Sequence, residues 1–163
     1  MALTVKQDGR IVVRAPYGIR KGAADAFVTN HREWIASRQR EYEKLLREKP
    51  SYTEEERRAG IEAAARILSE KCRYFSERMG VGYGRITIRE QKTRWGSCSA
   101  RGNLNFNWKL ALMPETIQDY LVVHELAHRR EMNHSPAFWA VVESQIPDYK
   151  ERRRWLKENG GRY

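Results

Sequence analysis

The stretch Tyr120-Leu-Val-Val-His-Glu-Leu-Ala-His-Arg-Arg-Glu-Met-Asn-His134 decides how this chain is read. Within it, His124-Glu125-Leu126-Ala127-His128 forms an H-E-x-x-H pentad. On a helix, residues four apart share a face, one turn above the other. His124 and His128 can therefore aim two imidazoles at one point. That suits a tetrahedral zinc, which takes histidine nitrogen at about 2.0–2.1 Å. Glu125, next along the helix, is expected to reach an attacking water rather than the ion, and to accept its proton. Ile117, Tyr120, Leu121, Val123, Leu126 and Ala127 supply an apolar body, so the helix is expected to be buried. A histidine pair buried around a glutamate is costly unless something satisfies it. The competing reading is an exposed helix whose His and Glu are merely solvated.

A catalytic zinc needs a third protein ligand and one open position. The chain has 4 histidines, and of the two others His31 is distant, which leaves His134. Six residues past His128, an unbroken helix would turn His134 away by roughly 240°. The helix must therefore end first. Asn133 is expected to adopt the left-handed conformation that terminates it. Ser135-Pro136 reads as the N-cap and first residue of the next helix. His134 then falls at a corner between two helices, and Glu143 on the second helix is the reserve ligand.

Length and composition bound what surrounds this centre. The 163 residues suit one domain, 1–163, with a real core. At 40% apolar and 32% charged, the chain reads as a globular protein with a very polar surface. No apolar run approaches a membrane span, and the first residues lack a signal-peptide core. Cys72 and Cys98 are too few for a disulfide framework, so a reducing, cytoplasmic setting is expected. The excess of 31 basic over 21 acidic residues gives a net charge of +10. Such an excess favours polyanions, and solubility explains it equally well.

Outward from the pentad, the chain reads in order as follows. Residues 4–15 give a hairpin with Asp8-Gly9 at its turn. Helices are expected over 22–29 and 30–47. The second has Trp34, Ile35, Arg38, Tyr42, Leu45 and Leu46 at helical spacing, and His31 at its start reads as a capping or surface residue. Thr53-Glu54-Glu55-Glu56 opens a helix with a capping box, and the helix runs to Met79 with Gly80 as its stop. Its stripe of Ile61, Ala64, Leu68, Cys72, Phe75 and Met79 is core. Residues 85–109 look extended: Ile86 and Ile88 alternate, Lys92 to Ser99 leads to a turn at 100–102, and Asn103 to Trp108 alternates again. A small antiparallel sheet is the simplest outcome. Met113-Pro114 precedes the pentad helix. Residues 136–145 and a basic segment at 148–158 close the chain as helices.

Taken together, these segments resemble the YgjP-like branch of zincin-type metallopeptidases, related to the SprT-like and WLM proteases. The resemblance rests on Thr93-Arg-Trp-Gly-Ser-Cys-Ser99, Asn103-Leu-Asn-Phe-Asn107, Met113-Pro114, Asp119 to His128, Asn133-His-Ser-Pro-Ala-Phe-Trp139 and Pro147-Asp-Tyr149. Gly9 to Pro16 and Trp34-Ile35 fit as well, so it covers nearly the whole chain. It implies an α+β, zincin-like fold with the H-E-x-x-H on a core helix. It also implies a metal on His124, His128 and His134 with Glu125 as the catalytic carboxylate. The chain begins inside the first hairpin, so an edge strand of the family's sheet is expected to be missing. Glu131 stands where metzincins of equal histidine spacing have a helix-ending glycine, so a different corner geometry is expected.

The reading favoured is a zinc-dependent hydrolase, a metallopeptidase acting on a peptide or protein. The Trp95-Gly96-Ser97 strand is expected beside the cleft, where Gly96 would let a substrate peptide pair as an added strand. Ser97 and Cys98 are poor nucleophile candidates, because metal-assisted attack needs none. One rival is a nucleotide phosphohydrolase that releases pyrophosphate, with Lys92 or Arg94 on phosphate oxygens. Another is a non-enzymatic nucleic-acid-binding module with structural zinc, which would normally show four protein ligands. Lys150, Arg152, Arg153, Arg154 and Lys157 are the candidate nucleic-acid contacts.

Overall fold

The computed structural model describes residues 1–6 and 8–163. The chain divides into two compact units, residues 1–50 with Arg162 and residues 51–161 with Tyr163.

In the first unit, β1 (Ala2–Val5) pairs antiparallel with β2 (Ile11–Arg14), with Leu3 opposite Val13. Arg10 closes the turn by donating its backbone N–H and its Nε to the Asp8 carboxylate. Two helices follow, α1 (Lys21–Asn30) and α2 (Arg32–Glu48). His31 sits between them as expected, its Nδ1 2.7 Å from the Phe27 carbonyl. The apolar stripe expected on α2 is only partly covered. Ile35 is buried, whereas Trp34 and Leu46 stay 42% and 59% exposed.

The second unit is built on α3 (Glu54–Met79). Its start is the capping box read from the sequence: the Thr53 hydroxyl accepts from the Glu56 N–H, and the Glu56 carboxylate accepts from the Thr53 N–H. Gly80 ends it at φ 63, the left-handed region that costs glycine nothing. Ala64, Leu68 and Cys72 are fully buried on its inner face. Burial pushes the Cys72 thiol up to about 12, so it is an inert apolar group.

Three strands follow: β3 (Ile86–Arg89), β4 (Gly96–Cys98) and β5 (Leu104–Asn107). Their spatial order is β3-β5-β4. The β4–β5 hairpin is antiparallel as expected, but β3 lies parallel to β5, with Ile86 opposite Leu104 and Ile88 opposite Phe106. The sheet is therefore mixed rather than purely antiparallel. The physical reason is burial. Leu104 and Phe106 are both fully buried, so β5 takes the central slot and the loop 90–95 carries the chain past it to the edge.

A 3-10 turn at Trp108–Leu112 replaces the last strand residues and leads into α4 (Glu115–Ala127). Nine of the thirteen α4 residues are buried, including Ile117, Val122, Val123 and Leu126. The buried amide of Gln118 donates to the Met113 and Ala111 carbonyls, which have no helical partner. On its flank, Lys71 of α3 bridges Asp119 at 2.6 Å and Glu115 at 3.0 Å. Burial alone would lower the Lys71 pKa, but the two carboxylates outweigh it and raise it. The chain ends with α5 (Pro136–Gln145) and α6 (Tyr149–Asn159), the latter tied to α4 by Arg152 donating to the Thr116 carbonyl. Among the described residues, no helix is long and apolar enough to cross a membrane.

Candidate metal centre

His124 lies in the last turn of α4, and His128 caps its end at φ −62 and ψ −13. That backbone is still helical, so the spacing of four keeps both rings on one face. Beyond it the chain turns in right-handed steps, with the N–H groups of Arg130 and Glu131 both donating to the Ala127 carbonyl. No non-glycine residue among those described has positive φ. The left-handed terminus expected at Asn133 is therefore absent. The exit is instead held by side chains. Arg129 donates to the Gly82 and Ala100 carbonyls, and Arg130 donates to the Met79 carbonyl. These bonds take the place of a terminating residue.

The chain then returns through His134 to Ser135, whose hydroxyl accepts from the Phe138 N–H and caps α5. This corner brings the three histidines together, with ligand-type atoms all within 4.8 Å of one another. Nε2 of His134 is 3.1 Å from Nε2 of His124. Two nitrogens on one tetrahedral zinc would stand roughly 3.3 Å apart. Nδ1 of His128 lies 3.1 Å from the Glu131 carbonyl. With the proton held there, Nε2 of His128 is left as a lone-pair donor. Phe138 is fully buried beneath the group. Its ring centroid lies 4.9, 4.6 and 4.8 Å from those of His124, His128 and His134. It fixes the depth of all three imidazoles, and only its spacing of four from His134 signals this in the sequence.

The electrostatics favour neutral donors. Burial, then the neighbouring His128, His134 and Arg153, pushes His124 down to about 3. Burial also lowers His128, partly offset by its bond to Glu131. Nδ1 of His124 is buried without a hydrogen-bond partner. Three imidazole nitrogens that converge, with His124 and His128 held neutral, fit a divalent cation of borderline softness. They do not fit magnesium, which prefers oxygen.

Glu125 is 4% exposed, and its surroundings explain both its position and its charge. β4 crosses it at Gly96, where a Cβ would stand 2.7 Å from Glu125 Oε1. The close approach read at Gly96 is thus made by the protein's own carboxylate. Burial raises the Glu125 pKa to about 8, against the pull of Arg94. On the far side from β5, β4 is the sheet's edge strand. Burial raises the Cys98 thiol, which keeps it from serving as a thiolate.

Other candidates fall outside this group. Glu143 is exposed on α5 and does not join the three histidines. Lys92 is exposed in the loop before β4. Of the basic residues on α6, Arg152 pairs with Asp148 at 2.9 Å, and Arg153 lies over the Trp139 ring at 4.8 Å. Of the five candidate nucleic-acid contacts, Arg152 is thus neutralised within the fold, whereas Arg153 and Lys150, the latter 5.7 Å from the Tyr149 ring, keep their charge over an aromatic face.

Against known proteins, a family model described as "YgjP-like, metallopeptidase domain" matches residues 1–62 and 53–159. Two solved structures share the fold. One is the metallopeptidase zymogen abylysin of Pyrococcus abyssi, 23% identical, with a TM-score of 0.51 over 56% of this chain and 93% of that one. The other is the metallopeptidase zymogen jannalysin of Methanocaldococcus jannaschii, 17% identical, with a TM-score of 0.50 over 56% and 94%. No curated protein matches.

Proposed function

Because the chain belongs to the YgjP-like metallopeptidase family, we propose that it is a zinc-dependent peptidase in which His124, His128 and His134 hold the ion and Glu125 is the general base. The observation that carries this reading is the convergence of three imidazoles beside one buried carboxylate. Zinc, when bound, supplies a Lewis acid that polarises the scissile carbonyl and acidifies water. Three protein ligands leave it one open position.

The chain's own groups do the rest. Glu125, ionised once a cation offsets the cost of its burial, accepts the proton of the attacking water as the oxygen bonds to the carbonyl carbon. It then returns that proton to the amine nitrogen as the C–N bond breaks. Gly96 leaves the carboxylate room for both transfers. The free edge of β4 offers backbone N–H and C=O groups to an extended peptide, which can add as a strand beside the base. Phe138 excludes water from beneath the imidazoles. The same reading takes residues 1–163 as one functional domain, supported by a family match on both sides of residue 50. It takes the setting as cytoplasmic, supported by two free cysteines.

The test has two parts. Wild type is expected to hold one zinc per chain by elemental analysis, and His124→Ala, His128→Ala or His134→Ala to lose it. A triple alanine variant that keeps stoichiometric zinc would sink the ligand assignment. Unfolded protein and nucleoside triphosphates are then offered in parallel. Peptide cleavage is expected; pyrophosphate release without any cleavage would overturn the peptidase reading.

A further inference from the structure

Two aromatic rings, Trp139 and Tyr149, extend from the metal corner to α6. Trp139 lies 5.9 Å from the His134 ring at 25° and 5.7 Å from that of His124. Tyr149 stacks on Trp139 at 5.2 Å and 14°. Arg153, one turn along α6 from Tyr149, places its guanidinium 4.8 Å from the Trp139 centroid. A guanidinium on an indole face is held by cation–π attraction while its N–H donors stay free at the edge. No carboxylate pairs with Arg153 among the described residues, and the side chain is exposed. The next basic residue to the N-terminal side, Arg152, is by contrast neutralised by Asp148. The charge of Arg153 nevertheless reaches the His124 ring and the Tyr120 hydroxyl. On the other flank, the charge of Arg94 acts on the Glu125 carboxyl.

A guanidinium seated on an aromatic face without an acidic partner, at the rim of a hydrolytic centre, is a ready binding group for an anion. Its planar fork matches a carboxylate, with two parallel N–H···O bonds. We infer that Arg153, presented on the Trp139 face beside the three histidines, binds a carboxylate of the substrate and makes the site selective for peptides with one near the scissile bond. This rests on the peptidase reading above. The carboxylate is supplied by an Asp or Glu side chain or by a free C-terminus, and the two sources are separable by experiment.

The zinc-loaded full chain is given three versions of one peptide: one with Glu flanking the cleavage position, one with Gln there, and one with Gln and an amidated C-terminus. Wild type is expected to show a KM about tenfold to a hundredfold lower for the carboxylate-bearing version, the usual effect of a charge-assisted hydrogen bond. Preference for Glu over Gln identifies a side-chain subsite; a loss only on amidation identifies a C-terminal one. Arg153→Met, which retains packing on Trp139, is expected to abolish the preference with kcat little changed. Arg153→Lys should restore part of it, and Arg153→Glu should turn it toward a Lys-containing peptide. A purely structural role for Arg153 would not reverse selectivity.

Binding of the same peptides to zinc-loaded Glu125→Gln, followed by fluorescence anisotropy, separates this inference from the peptidase reading. Carboxylate-dependent binding that Arg153→Met removes supports the inference even if no peptide is cut. Equal affinity for all peptides in wild type and in Arg153→Glu overturns it. So does binding of inorganic triphosphate that depends on Arg153 while the peptides are not distinguished.

Discussion

Helices α2 and α4 show what separates a scaffold surface from a chemical centre in this molecule. Both contain apolar residues at helical spacing, yet α2 buries one of its seventeen residues and α4 nine of its thirteen. α2 is laced with exposed ion pairs, Arg38–Glu41 at 2.7 Å, Lys44–Glu48 at 3.8 Å and Arg47–Glu43 at 4.0 Å. Exposed pairs of this kind contribute about 0–1 kcal/mol each. α4 has no room for such a face, because it is apolar nearly all round and is packed by α3, β4, α5 and α6. Only there are a histidine pair and a glutamate held where water cannot solvate them. The low pKa of His124 and the high pKa of Glu125 follow from that burial.

The largest expected break in the comparison is chemical. Glu125→Gln should lower peptide turnover about 10²–10⁴-fold, the usual contribution of a general base. Zinc content should be unchanged. Trp34→Ala on α2, which removes a larger side chain that is 42% exposed, should leave turnover as it was. Turnover at the wild-type rate in the glutamine variant would remove Glu125 from the mechanism.

Packing gives the next largest contrast. Leu126 is fully buried, and Leu46 is 59% exposed. Leu126→Ala should cost about 2–5 kcal/mol in denaturant unfolding, for lost burial and the cavity left behind. Leu46→Ala should fall within about 0.5 kcal/mol of wild type. Similar losses at both sites would mean that α2 is covered in solution.

The third contrast is in pH, and its sign can be worked out for metal-stripped protein. His124 falls from 6.5 to about 3 on folding, so the unfolded chain binds the extra proton in that window. Its contribution to stability is full above pH 6.5 and is lost as pH falls toward 3. Glu125 rises from 4.5 to about 8, so here the folded chain binds the extra proton. Its contribution is full below pH 4.5 and is lost as pH rises through 8. Between 4.5 and 6.5 the two slopes oppose each other. Thermal melts of the stripped protein should therefore show a plateau there and a decline on both sides, and added zinc should restore the alkaline side. A melting temperature that climbs steadily from pH 6 to 8 without zinc would contradict the burial of Glu125.

The two regions also differ in how far the sequence reveals them. α3 is legible to the residue, because Thr53, Glu56 and Gly80 act on their own backbone neighbours. The spacing of His124 and His128 is legible for the same reason. The sheet order is not. β5 takes the middle through the burial of Leu104 and Phe106, which lie far along the chain from β3. The bonds from Arg129 and Arg130 to Gly82, Ala100 and Met79 leave no periodic trace either, so the end of α4 reads as a task for Asn133. Gly96 is legible as a point of close approach, but what approaches it, Glu125, lies 29 residues away.

The smallest expected effect tests how the corner between α4 and α5 is held. α2 begins at His31 with no side-chain cap, whereas α5 begins at Ser135, whose hydroxyl accepts from the Phe138 N–H at 3.2 Å. That one bond fixes both the start of α5 and the residue that follows His134. Ser135→Ala should cost about 1 kcal/mol of stability, as for other N-caps. The same loosening should reach the metal, because His134 and Phe138 stand on either side of the bond. A loss of about 1 kcal/mol in the loaded state corresponds to roughly a fivefold weaker zinc affinity, measurable by competition with a chelator. Arg32→Ala, at the exposed first residue of α2, should change neither quantity. Weaker folding in Ser135→Ala with unchanged zinc affinity would show that the cap holds α5 alone and that the third imidazole is positioned by the turn before it.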